Sequence, residues 1–539
     1  MSIASYLSSL QASEWLSVVT LLICVYVAHF YFRYFTRENP LPGPTPLPII
    51  GNLHQMGMGT DIAAWAHRLQ CDFGEDIFET YYGSQRTIWI GRADLAVPVL
   101  ASSTKNNYFN RGVSSPGMRE IGLETVGIAA NRDYESWKFN RKFFSTVVMS
   151  PRFLKKSISA TEKLFIEAEL YLNNLGSKTQ IDMSKFLFRF FVDSMHLSAT
   201  GKPAHAMAGF YNSLVVPKDK RTDHPKELLD ATEEIIFSIK NEFKAARFMF
   251  FFPPFIRHYI LRYYNNKYVN NVKRFDEILL SIIRKRKAEI DAIPDGDSLN
   301  PDMLTLLLTT NTSRDLGIIS TGEITRPMTE DEIRADLKEI FSVGIDTTSD
   351  SFCYIIWHMC KNPLEKDKVL KELNEVLGTD PTKSIPYESL DRLKYTEAFV
   401  KEVLRLNPVL PFLWKMATND DTLGGMKWKA GTSVFINVYG TQTHAKNWDK
   451  PEEFIPARHL EGTKTDRNAY IPFGGGPRLC KCPGKNFAMA TLKLLTALLI
   501  RRFDIELVDK NAPLKTSFTM VRHCDELKVY LRPKIPITG

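Results

Sequence analysis

The stretch Phe473-Gly474-Gly475-Gly476-Pro477-Arg478-Leu479-Cys480-Lys481-Cys482-Pro483-Gly484 constrains this chain more than any other. A glycine-rich loop carrying an arginine runs into two cysteines, then Pro-Gly, then a helix-like segment over 485–495. A thiolate at a helix start gains from free N–H groups and from the positive end of the helix dipole. The same groups lower its pKa, so it can bind a metal as the anion. Glycine lets backbone approach a large flat ligand, and arginine pairs with carboxylates at that ligand's edge. The loop therefore asks for a fold that presents one sulfur, at the mouth of a helix, to a planar metal-bearing ligand.

The N-terminus sets a second constraint. Residues 15–32 are almost wholly apolar, interrupted only by Ser17, Thr20 and His29. As a helix this run spans roughly 27 Å, close to the hydrocarbon thickness of a bilayer. Arg33 and Arg37 follow it, and no lysine or arginine precedes it. That asymmetry predicts a signal anchor over 13–36, with residues 1–12 lumenal and the remainder cytosolic. A cleaved signal peptide would need a basic start and a small-x-small cleavage site. The segment Pro40-Leu41-Pro42-Gly43-Pro44-Thr45-Pro46-Leu47-Pro48 cannot be helix, and 37–53 is expected to be a stiff, extended hinge. Seven scattered cysteines do not make a disulfide framework, which suits a reducing, cytosol-facing domain over 54–539. A net charge of +8 fits acidic protein partners or anionic lipid and is too small to argue for nucleic acid.

Most of the remaining chain reads as helix, with strand-like patches near 77–90, 432–438 and 527–531. The expected class is therefore mainly α with small β-sheets behind one transmembrane helix. Thr329-Glu330-Asp331-Glu332 is a capping box that opens a helix running without proline to Cys360. Its centre holds Val343-Gly344-Ile345-Asp346-Thr347-Thr348, where buried polar groups need partners. Gly344 weakens the helix by about 1 kcal/mol relative to alanine and leaves room for a ligand or a local opening. A hydroxyl bonded to helix carbonyls can hold such an opening, and a neighbouring acid can relay protons. Glu402 and Arg405 lie at i and i+3 on one helical face. Trp137 and Arg141 share a face at i and i+4.

In order along the chain, these features resemble the cytochrome P450 family of haem-thiolate monooxygenases, whose signature reads Phe-x-x-Gly-x-Arg-x-Cys-x-Gly. Counting from Phe473, Gly476 and Arg478 makes Cys480 the ligand, with Cys482 in the glycine position. Counting back from Pro483, Gly484, Phe487 and Ala488 makes it Cys482, with two extra residues in the loop. Loops absorb insertions, whereas two extra places along a helix rotate every later side chain by roughly 200°. Cys482 is preferred because Pro483 suits the first helical position, and Cys480 is the second choice. The resemblance implies the family's fold and haem b with an axial cysteine thiolate. It assigns Thr347 to steadying bound dioxygen and its water, and Asp346 to connecting them with solvent. Val343 stands where relatives carry a smaller residue. Glu402, Arg405 and Arg458, the last in a Pro-x-x-Phe-x-Pro-x-Arg segment, are implied to form a structural network under the cysteine loop. Trp137, Arg141, Lys415 and Arg478 are implied to meet the haem propionates, with Phe473, Gly484 and Ala488 beside the ring. Lys415 replaces the usual arginine and loses its bidentate fork.

Family position also implies pocket walls near 114–128, 341–347, 409–414 and 518–519. The phenylalanine-rich run Arg247-Phe248-Met249-Phe250-Phe251-Phe252-Pro253-Pro254-Phe255-Ile256 reads as a loop between helices that either dips into a membrane or tucks onto the core. Lys138, Lys142, Lys481 and Lys485 make a basic face that would steer an acidic electron donor. No flavin- or nicotinamide-binding stretch comes after the cysteine loop, so electrons are expected from a separate NADPH-dependent flavoprotein reductase, with cytochrome b5 as a further donor. The expected reaction is hydroxylation of a small hydrophobic substrate (a steroid, fatty acid, terpenoid or xenobiotic) at the endoplasmic reticulum membrane. Other readings are a haem-thiolate peroxide isomerase or dehydratase, whose relatives tend to lose the Asp-Thr pair retained here, and a non-catalytic haem-binding membrane protein. A zinc site at Cys480 and Cys482 lacks well-spaced companion ligands.

Overall fold

The chain's computed structural model describes residues 11–56, 61–74, 76–101, 107–108, 115–215, 220–295, 297–318, 322, 326–462, 466–475 and 482–534. The capping box opens the long Glu330–Lys361 helix as the sequence predicts. Glu332 N–H donates to Thr329 Oγ1 at 3.3 Å, and Thr329 N–H to Glu332 Oε2 at 2.8 Å. Pro363 begins the next helix and prevents this one from continuing. The Met183–Thr200, Arg262–Asp291 and Lys485–Arg502 helices pack against it, and the largest apolar core forms around it. Lys338, buried on this helix, reaches Glu242 at 3.2 Å and Asp276 at 3.1 Å, locking it to two neighbouring helices.

The strands are short and lie beside the helical mass. β1 (Ile77–Tyr82) and β2 (Gln85–Ile90) form a hairpin. β3 (Ile181–Asp182) joins a later three-stranded sheet. β4 (Phe412–Met416), the hairpin pair β5 (Asp421–Leu423) and β6 (Met426–Trp428), and β7 (Ser433–Asn437) come next. The main sheet has the order β1-β2-β7-β4, with β7 parallel to β2 and antiparallel to β4. Near the C-terminus come β8 (Phe503–Leu507), the hairpin pair β9 (Lys515–Phe518) and β10 (Arg522–Glu526), and β11 (Lys528–Pro533). All three strand-like patches read from the sequence are strands.

The Ala12–Phe35 helix buries none of its residues, and its apolar side chains face outward throughout. Two of its hydroxyls are satisfied internally, Ser17 Oγ donating to Ser13 O and Thr20 Oγ1 to Leu16 O. This is what a helix needs in surroundings without water. The hinge after it is extended but is no free spacer. Glu79 N–H donates to Pro42 O at 2.9 Å, and Tyr81 N–H to Asn52 Oδ1 at 2.7 Å. Arg37 and Arg86 grip the buried Glu79 from either side, so the hinge lies pinned along β1. A Cβ at Gly43 would stand 2.1 Å from Glu79 O. Gly43→Ala is therefore expected to cost about 1–3 kcal/mol by overpacking. An unchanged denaturation midpoint of the full-length protein in detergent would show that the hinge can lift off.

The phenylalanine-rich run departs from the expected loop. Residues 247–251 complete the Lys226–Phe251 helix, and Phe248, Met249 and Phe251 are buried. Alanine and long apolar side chains at helical spacing favour continuation, and only Pro253-Pro254 stops it. The aromatic surface instead lies just beyond, where Phe255 is 66% and Tyr259 77% exposed.

Candidate functional site

On the cysteine side, Cys482 N–H donates to Phe473 O at 2.8 Å, closing the loop between them. Residues 476–481, with Arg478, Cys480 and Lys481, lie outside the described residues. Cys482 is exposed. Pro483 is not at the first helical position as expected. It stands in a turn with Gly484, which is the N-cap, and Lys485 begins the helix. Lys485 N–H reaches back to Cys482 O at 3.4 Å, and Ala488 N–H donates to Gly484 O at 2.8 Å. Cys482 thus sits at the mouth of a long helix, at the positive end of its dipole. Phe473 and Ala488 are half-buried. The Lys485 ammonium lies 5.8 Å from the Phe473 ring centre.

Beneath this loop, Arg405 forks onto Glu402 through Nε and Nη2, both at 2.8 Å. Arg458 Nε donates to the same carboxylate at 3.0 Å, and Ile455 N–H at 2.9 Å. His459 Nε2 lies 2.8 Å from its other oxygen. Burial alone would raise the pKa of Glu402, but Arg405, His459 and the Ile455 N–H hold it down to about 2. Arg405 also donates to the carbonyls of Gln442, Pro451 and Glu453. Gln442 in turn accepts from Ile471 N–H at 3.0 Å, two residues before Phe473. The network therefore reaches the cysteine loop through one buried amide.

On the central helix, Asp346 is buried and Thr347 half-buried. The helix runs unbroken, and no opening forms at Gly344 as the sequence had led us to expect. The space is used for packing instead, since a Cβ there would stand 3.2 Å from Met195 Sδ. Thr347 Oγ1 donates to Val343 O at 2.7 Å, and Thr348 Oγ1 to Gly344 O at 2.9 Å. From Ile340 to Ile356 only Val343, Gly344 and Thr347 escape full burial, and they share one face. On this one face the otherwise buried helix keeps part of its surface accessible.

Sequence reading missed the partners of Asp346. Asp350, one turn on, accepts from Cys524 N–H at 2.9 Å and lies 3.0 Å from His523 Nδ1. Burial opposes a charge on His523, but Asp350 and then Asp346 hold its pKa up to about 9. Burial raises Asp346 to about 7, opposed by His523, reinforced by Asp350 and opposed by Lys240. Lys240 is exposed, so its influence on the buried acid comes from the protein surface. A hint was present in the aspartates at i and i+4, but nothing local points to His523.

Of the remaining candidates, Trp137 is buried and Arg141 half-buried on the Tyr134–Val148 helix, and Lys415 is 4% exposed on β4 opposite Val434. Of the implied pocket walls, Phe518 is core, 5.8 Å from the Phe412 ring, whereas Trp414 is half-buried against Phe250. An accessible thiol at a helix mouth is the kind of donor that fits haem.

The Cytochrome P450 family model matches residues 41–531. The chain is similar to steroid 17-alpha-hydroxylase/17,20 lyase of Mesocricetus auratus, 27% identical over 530 residues, which cover 95% of this chain and 96% of the relative. It is also similar to two proteins of Catharanthus roseus, each covered over 89% of both lengths. They are (+)-vincadifformine 19-hydroxylase, 26% identical, and tabersonine 3-oxygenase, 25% identical. With the fold, the helix-mouth cysteine and a match over nearly the whole chain in agreement, this protein belongs to the cytochrome P450 family of haem-thiolate monooxygenases.

Proposed function

We propose that the protein is anchored in the endoplasmic reticulum membrane by residues 13–36, with 1–12 lumenal, 37–53 a hinge and 54–539 a cytosolic catalytic domain. It inserts one atom of dioxygen into a small hydrophobic substrate and reduces the other to water. NADPH supplies electrons through a separate flavoprotein reductase, with cytochrome b5 as a further donor. The exposed Lys138 and Lys142 on the Tyr134–Val148 helix support docking of an acidic partner. A relative whose name records steroid hydroxylation supports a steroid first among the hydrophobic classes.

The observation that carries this reading is the half-exposed stripe of Val343, Gly344 and Thr347 beside buried Asp346. Haem, when bound, supplies the activation of dioxygen. In this proposal Cys482, with Cys480 the second choice, would hold the haem iron as thiolate, Trp137, Arg141, Lys415 and Arg478 would pair with its carboxylates, and Phe473, Gly484 and Ala488 would contribute to the binding surface. Thr347 donates its own proton to Val343 O, so its oxygen is left to accept a hydrogen bond from water at this half-exposed face. Asp346 moves protons toward that water, and Lys240 and His523 set its charge.

Turnover with NADPH and reductase tests the reading. Asp346→Asn is expected to lower kcat roughly 10²-fold, the usual worth of a positioned proton carrier, without changing haem loading. The protonated acid prevails below about pH 7, so wild-type turnover should fall as pH rises through 7. Full turnover by the variant at all pH values would remove Asp346 from the mechanism. Stability gives a second readout. A folded pKa near 7 against 3.8 unfolded stabilises fully below about pH 4 and is lost as pH rises through 7. The unfolding midpoint of Asp346→Asn should therefore drop less than that of wild type between about pH 5 and 8.

A further inference from the structure

Far along the chain from the cysteine loop, three side chains from separate elements converge. Glu167 lies on the Pro151–Leu175 helix, His205 immediately precedes the Ala206–Leu214 helix, and His224 precedes the Lys226–Phe251 helix. One donor atom from each lies within 4.8 Å of the other two. The two imidazole rings are 4.1 Å apart between centroids, at 35°. We propose that Glu167, His205 and His224 form a binding site for a divalent cation of the zinc type, clipping the entry of the Lys226–Phe251 helix to the Pro151–Leu175 helix.

Two independent features show a built arrangement. His205 is held at φ 60°, a left-handed conformation uncommon for a residue with a side chain. The clamp is the buried Asp193, which accepts from Ala206 N–H at 2.8 Å and Met207 N–H at 2.9 Å. Nδ1 of His205 is buried and makes no hydrogen bond among the described residues. Glu167 is oriented too, since Tyr171 Oη donates to its Oε1 at 2.7 Å and leaves the other oxygen to act as a ligand. Outer hydrogen bonds of this kind orient metal ligands.

Two imidazole nitrogens and one carboxylate oxygen suit zinc, and the half-buried setting leaves a fourth position to water.

The test uses tag-free, full-length, haem-loaded protein, stripped with chelator, equilibrated with zinc chloride, desalted and analysed for metal. Wild type is expected to retain about one zinc per chain. His224→Ala and His205→Asn are expected to retain none, asparagine being chosen because it tolerates the left-handed backbone. Tyr171→Phe should weaken zinc about tenfold by freeing the carboxylate. Haem content and circular dichroism identify variants that have failed to fold. If His224→Ala, folded and haem-loaded, retains as much zinc as wild type, or if wild type retains none, the proposal is overturned.

Discussion

Replacing Cys482 by serine is expected to abolish the thiolate-type Soret band of the reduced carbon monoxide complex, while Cys480→Ser keeps it. A serine hydroxyl stays protonated where a thiol ionises, so no conservative residue supplies the anionic sulfur. Proline placement no longer supports the choice, because Pro483 stands in a turn ahead of the N-cap. The support is now the closure of the loop. Cys482 N–H bonded to Phe473 O ties the two ends of the loop together immediately ahead of the helix start. Cys482 is exposed and stands three residues ahead of Lys485, the first residue of the helix, at the positive end of its dipole. Loss of the band only in Cys480→Ser would keep the family and reverse the ligand.

Local features were legible because their partners are close in sequence. The Thr329–Glu332 capping box and the i, i+3 pair of Glu402 and Arg405 need only helical geometry, and both stand as read. Arg458 required the resemblance, since a 3.0 Å contact across 56 residues has no local signal. His523 carried no signal at all, lying 173 residues from Asp350 on a hairpin that only the fold brings to the central helix. Gly344 was legible as an anomaly but not in its use. Whether a missing side chain admits a ligand or a neighbour depends on what packs there, and here it is Met195. The same limit applies to the phenylalanine run, where composition left membrane dipping and core packing both open, and helical continuation buried Phe248, Met249 and Phe251. The hinge shows the reverse, because its prolines forbid helix but do not say that Pro42 and Asn52 will bind β1.

Arg405→Ala is expected to prevent accumulation of folded, haem-bearing protein. Glu402 and Arg405 are both completely buried, and the carboxylate is ionised at any ordinary pH. Removing the guanidinium strands that charge, at about 3–5 kcal/mol for a broken buried pair. It also leaves the carbonyls of Gln442, Pro451 and Glu453 without this donor, at about 1–3 kcal/mol for each that finds no other. Against a total stability of about 5–15 kcal/mol, that sum is decisive. Arg405→Lys should be intermediate, keeping the charge but losing the fork that serves one carboxylate and three carbonyls together. The pH dependence has a definite sign. A folded pKa near 2 against 4.5 unfolded stabilises fully above about 4.5 and is lost as pH falls through 2. Wild type should therefore lose stability on acidification below about pH 4.5. Arg458→Ala should shift that acid limb less than Arg405→Ala, because it withdraws one hydrogen bond from the carboxylate and not two. An Arg405→Ala protein with wild-type haem content and denaturation midpoint would mean that Arg458, His459 and the Ile455 N–H satisfy Glu402 without it, and that the cysteine loop does not depend on the path through Gln442.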